Sequence, residues 1–198
     1  MRSSRLSIAA CIMVMTSVLA VAQQGSVPPA APAPAPVMGM TLSSTAFDDG
    51  ALIPAKYTQA APAPVSPPLA WNYVPDGVQS FVLICEDLDA APNKSPVGTL
   101  HWLVFNIPAE SRSLAEGIPA VALLSDGTVQ GLNQGRVVGW RGPGARWPGP
   151  HHHYAFVLYA LDTKLDLDLD TTHAQVLGAM QGRVLAKAAT IGRFYRSK

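Results

Sequence analysis

Asp87, Asp89, His101, His152 and Tyr154 are the side chains of this sequence best suited to chemistry. The two carboxylates stand two residues apart, so an extended segment would present them on one face. His101 opens an apolar run, and His152 and Tyr154 stand at the head of another. Polar groups at the inner ends of buried strands need partners, because an unpaired one is costly. A carboxylate that accepts an imidazole N–H fixes the ring and raises its basicity, which frees the second nitrogen for a ligand. Such a set can hold a small anion, or serve as acid and base. Taken alone, Asp87 and Asp89 read better as turn formers, since short acids bond their own backbone.

The elements that must position these residues are mostly strands. Phe81–Cys85, His101–Ile107 and Tyr154–Leu161 are short apolar runs rich in Val, Leu, Phe and Tyr. Met40–Phe47 reads as an edge strand and Leu69–Tyr73 as a short aromatic one. Residues 60–68 hold too much proline for a central strand. Residues 131–150, heavy in Gly and Pro, form a long loop of the kind that is usually functional. One helix is expected late: Thr171 or Thr172 can cap it, and Val176, Met180 and Val184 recur at helical spacing with Leu177 and Leu185 beside them. Gly178 and Gly182 weaken it, and Thr190–Tyr195 reads as a closing strand. Short strands with Gly/Pro turns suggest a sandwich or a barrel.

Within a strand, His152 and Tyr154 share one face, and His151 and His153 the other. Three consecutive histidines therefore diverge. No Cys or Glu/His partner stands at a metal-binding spacing, so no metal is expected. Asp166, Asp168 and Asp170 imitate a calcium loop, but Thr171 and Leu177 occupy the places of its obligatory Gly and Glu. The chain has no Gly-x-Ser-x-Gly turn, no Walker-type phosphate loop and no Cys-x-x-Cys. No cofactor is expected, and an enzyme using a His101/Asp87 pair as acid and base stands behind a binding role. Residues 139–144 lack dinucleotide-loop spacing and read as a turn that brings backbone N–H groups close to something.

The 198 residues suffice for one domain with a proper core. A net charge of +1 with only 14% charged residues argues against a nucleic-acid footprint. Arg2 and Arg5, an apolar run from Ile8 to Val21 and a small-residue site at Ala20–Ala22 read as a signal peptide over 1–22. The protein is thus expected to be exported, periplasmic or secreted. Cys11 follows too little apolar sequence for a lipid-attachment box. Its removal leaves Cys85 alone, so no internal disulfide is expected and Cys85 reads as a buried hydrophobe. Alternating Ala and Pro over 23–38 make a semi-stiff tether, and the domain is assigned to 39–198.

Several motifs, in order, resemble the phosphatidylethanolamine-binding protein family, also called Raf kinase inhibitor proteins, and its bacterial branch in particular. The acidic signature Asp-Pro-Asp-Ala-Pro stands here as Asp87, Leu88, Asp89, Ala90 and Ala91. His101 and Trp102, with Asn106, Ile107 and Pro108 behind them, match the next block. Gly142 and Pro143, then His152, His153 and Tyr154, match the second signature. Val65–Trp71, Leu158–Asp162 and Gly182–Ala186 agree as well. The resemblance implies a mainly β fold: a sandwich of two antiparallel sheets with a few peripheral helices, one near the C-terminus. It also implies a small pocket for an anion such as phosphate or a phosphoethanolamine headgroup. By position, Asp87, His101, Gly142, Pro143, His152 and Tyr154 line that pocket, and Asp89 and Ala91 belong to its acidic turn. Asp87 can orient His101 or His152, and the Gly142 turn can offer N–H groups to a phosphate oxygen. Two departures stand out. Leu88 and Ala91 replace prolines, with Pro92 one place late, and His153 replaces an arginine but is expected to face away from the pocket. The resemblance also permits a protein partner, such as a peptidase or kinase to be inhibited, and a homodimer.

Overall fold

The computed structural model describes residues 39–91, 94, 96–145 and 149–196. The leader and tether readings, Cys11 and Pro92 lie outside the described residues.

The central strand, β3 (Ser80–Asp87), is buried along almost its whole length. Its alternate residues serve two cores. Phe81, Leu83 and Cys85 face one hydrophobic cluster, and Val82 and Ile84 the other. That explains why the run reads as continuously apolar rather than alternating. β3 lies between β4 (Thr99–Pro108) and β7 (His152–Leu161), and β8 (Val184–Phe194) and β6 (Val129–Gln130) complete a five-stranded sheet in the order β6-β4-β3-β7-β8. β1 (Thr41–Ser43), β2 (Leu69–Asn72) and β5 (Ser113–Leu114) form a second sheet in the order β1-β2-β5. All pairings within both sheets are antiparallel. Leu42, Leu69 and Trp71 of the small sheet pack with Phe81, Trp102, Tyr154 and Phe156 of the large one. The sandwich is the expected architecture, and the barrel alternative falls away.

The reverse face of the large sheet is covered by helix α1 (His173–Ala179), whose Val176 packs with Val82, Ile84, Leu103 and Phe105. Thr172 rather than Thr171 caps it. The Thr172 side chain accepts from the Gln175 N–H while the Gln175 side chain accepts from the Thr172 N–H, which satisfies two otherwise orphaned donors. The helix is shorter than its apolar spacing predicts. It stops at Met180, and Gly182 at φ 73° turns the chain back. Val184 and Leu185, expected to continue the apolar face, are exposed and start β8. The closing strand is correspondingly longer than expected.

Candidate functional site

The ladder between β3 and β4 carries a defect at the place where chemistry was anticipated. Cys85 pairs with Trp102, but the next residue, Glu86, pairs with Leu100. His101 is the extra residue of a β-bulge. A bulge frees one residue from the ladder and re-aims its side chain. Here the freed His101 carbonyl accepts the Arg141 N–H at 2.9 Å, and His101 Nδ1–H donates to the Arg141 carbonyl at 2.6 Å. A carbonyl can only accept, so the proton lies on Nδ1, and Nε2 of the neutral ring is an acceptor. The imidazole also meets the Tyr154 ring edge-on, with centroids 5.1 Å apart. Burial holds His101 below the usual histidine range. The Arg141 and Gly142 carbonyls and the Asp87 carboxylate pull the other way without overcoming it.

Asp87 closes β3 and sits in register between Thr99 and Tyr154. It is 4% exposed, and both its oxygens are engaged. Oδ2 accepts from His152 Nδ1–H at 2.7 Å, and Oδ1 accepts the N–H groups of Asp89 and Ala90 at 3.0 and 3.2 Å. Of the two histidines that Asp87 could serve, it serves His152. A single carboxylate shapes the turn with one oxygen and orients an imidazole with the other.

Asp87, His101 and His152 come together on a cavity of about 270 Å³, whose wall also includes Thr99, Gln59, Arg141 and Gly144. The remaining anticipated residues lie around it rather than on it. Tyr154 is fully buried beneath His101. Burial, then the nearby Asp87 carboxylate, pushes its phenol well above the usual range, so the hydroxyl keeps its proton. Gly142 and Pro143 are not in its wall, and Gly142 lines a neighbouring cavity instead. An added Cβ on Gly142 would stand 2.7 Å from the Tyr57 carbonyl oxygen, so close backbone approach explains the glycine. The Gly142 and Pro143 carbonyls accept from the side chain and main chain of Gln59 at 2.8 and 2.9 Å, fixing that residue at the cavity.

Asp89 turns outward. It accepts the His153 N–H at 2.6 Å and His153 Nδ1–H at 2.9 Å. Burial alone would raise its carboxyl, but the His153 main chain and ring outweigh that and bring it below the ordinary value. His153 is exposed and faces away from the cavity, as strand alternation predicts. His151 packs its ring against Tyr195 at 4.3 Å. The three consecutive histidines thus have three different partners. Leu88 and Ala91, at the positions of the family's prolines, are both exposed, and the Leu88 N–H is bonded to the His153 carbonyl at 2.9 Å.

Arg141 and Gln59 were not anticipated. Among the described residues, the Lys and Arg ion pairs within 4.0 Å are Lys56–Glu116 and Arg183–Asp162, so the Arg141 guanidinium has no carboxylate partner there. The signal lies in the sequence: Arg141 is the cation of the Gly-rich turn 139–144, whose glycines draw attention to its backbone N–H groups instead. Cys85, by contrast, is fully buried as expected, with its thiol pushed up by burial.

The family model described as phosphatidylethanolamine-binding protein matches residues 43–195. A UPF0098 protein from Methanothermobacter thermautotrophicus is 46% identical over 157 residues, covering 79% of this chain and 99% of its own. Among solved structures, a phosphatidylethanolamine-binding protein homologue of Chlamydia trachomatis matches with a TM-score of 0.70 and 35% identity, over 80% of this chain and 99% of its own. Escherichia coli YbcL, described as a member of the mammalian family, matches with a TM-score of 0.68 and 28% identity, over 81% and 100%.

Proposed function

The chain belongs to the phosphatidylethanolamine-binding protein family, and from that premise we propose that its domain is a binding module for a small phosphate-bearing anion, free phosphate or a phosphoethanolamine headgroup. The observation that carries this reading is the Asp87–His152 pair, 2.7 Å apart, on the same cavity as Arg141. A carboxylate in an anion pocket would ordinarily repel its ligand. Here both Asp87 oxygens are taken up by protein N–H groups, so its effect is to orient His152. Arg141 then supplies a cation free to make charge-assisted hydrogen bonds. A proton taken up by His101 as the anion binds completes the complementarity. The cavity of about 270 Å³ is sized for a headgroup.

The test is titration calorimetry of the full chain with inorganic phosphate and with phosphoethanolamine. Asp87→Ala and His152→Ala should each weaken both ligands by about tenfold or more, the scale of one charged hydrogen bond. Variants that fold and bind as well as the unmutated protein would sink the assignment.

The reading places the protein outside the cytoplasm, on the strength of the basic start, the apolar run and the cleavage site within residues 1–22. Recovery of the uncleaved chain in the cytoplasmic fraction would overturn that part.

A further inference from the structure

We infer that the anion pocket is one half of a two-part site, and that the ligand is a phosphate ester whose alcohol carries a flat apolar group seated in the adjoining cavity. This inference rests on the anion-binding reading above. The adjoining cavity, of about 330 Å³, is lined by Pro64, Val137 and Trp140 and shares Gln59 and Arg141 with the first. Arg141 therefore stands in the wall of both. A phosphate held by its guanidinium has its ester oxygen within reach of either side, whereas a bare anion leaves the second cavity unused.

The walls of that second cavity are pre-built. Trp140 is half-buried and held in three ways: its indole N–H donates to the Tyr57 carbonyl at 3.1 Å, its ring stacks on Phe156 at 5.7 Å, and it meets Trp102 edge-on at 5.6 Å. The opposing loop is pinned by Asn133, whose side chain donates to the Gly139 carbonyl at 3.0 Å and accepts the Gly135 N–H at 2.9 Å, and by the bridge between Leu132 and Val138. Val137, on this pinned loop, is 59% exposed. Fixed walls cost little entropy on binding, and a fixed aromatic wall favours a flat partner. The volume has room for one or two rings.

The experiment compares inorganic phosphate with phenyl phosphate on the full chain by titration calorimetry, and repeats both with Val137→Ser, a change at an exposed position. Phenyl phosphate should bind about tenfold more tightly than phosphate, the gain expected for covering one apolar ring. Val137→Ser should cut that preference at least threefold and leave phosphate affinity unchanged. Equal binding of the two ligands by the unmutated protein overturns the two-part site while leaving the anion pocket standing. A preference that survives Val137→Ser places the ring elsewhere and overturns it too. If neither ligand binds, the anion-binding reading fails and this inference falls with it.

Discussion

His101 and Arg141 hold each other by two hydrogen bonds that both use the Arg141 main chain: its N–H donates to the His101 carbonyl at 2.9 Å and its carbonyl accepts from His101 Nδ1–H at 2.6 Å. The clamp is possible because a bulge releases the His101 carbonyl from the β-ladder. It ties the long loop to the end of the large sheet, sets the imidazole tautomer and places the Arg141 side chain beside the ring it orients. Structure and charge at this point are therefore separable.

Arg141→Gln exploits that separation. Both clamp bonds run through the backbone and survive the substitution, and only the cation is lost. Phosphate should bind about tenfold more weakly, the worth of a charge-assisted hydrogen bond, while the thermal midpoint stays close to that of the unmutated protein. Calorimetry and a melt on the same sample check both halves. Unchanged phosphate affinity would remove Arg141 from the site.

The pH dependence follows from His101 and His173, both held by burial below their ordinary value of 6.5. Asp87 faces His101, and Glu86 faces His173; both oppose the shift without reversing it. Well above about pH 6.5 both rings are neutral in the folded and the unfolded chain alike, and contribute no pH slope. As the pH falls below that, the unfolded chain takes up protons that the folded protein refuses, so stability declines. An anion reverses the preference at His101, because a phosphate oxygen facing Nε2 requires a proton there. Melts between about pH 8 and pH 5 should show falling midpoints, with a phosphate-induced rise that grows towards acid. A phosphate effect of equal size throughout would show that no imidazole titrates on binding.

Much of this was legible in the sequence, and the failures have specific causes. β3, β4 and β7 were readable because they are buried on both faces, which makes their apolar runs unbroken. The shared face of His152 and Tyr154 was readable because β7 runs undisturbed through them. The same alternation misleads at Asp89: the ladder ends at Asp87, whose own side chain turns the backbone and sends Asp89 out to His153. No residue type marks the bulge at His101, since its cause is a pairing between distant strands. The helix was over-extended because Val184 and Leu185 keep its apolar spacing, and only the positive φ of Gly182 reveals the break. Arg141 was overlooked because its partner, the main chain of His101, lies forty residues away.

Gly142 offers a test of fold rather than of binding. The Gly139–Gly144 turn passes so near the Tyr57–Thr58 backbone that a Cβ at position 142 would lie 2.7 Å from the Tyr57 oxygen and 2.9 Å from the Thr58 carbonyl carbon. Backbone cannot swing aside as a flexible side chain can, so Gly142→Ala must push the turn away. The cost should be about 1–3 kcal/mol, the range for inserting a methyl group into a packed contact, read as a lower urea midpoint at unchanged slope. The displacement should also loosen Gln59, which donates to the Gly142 carbonyl at 2.8 Å, and so weaken phosphate as well. A variant as stable as the unmutated protein would mean that the turn has room for a methyl group, and the explanation of this glycine by close approach would be lost.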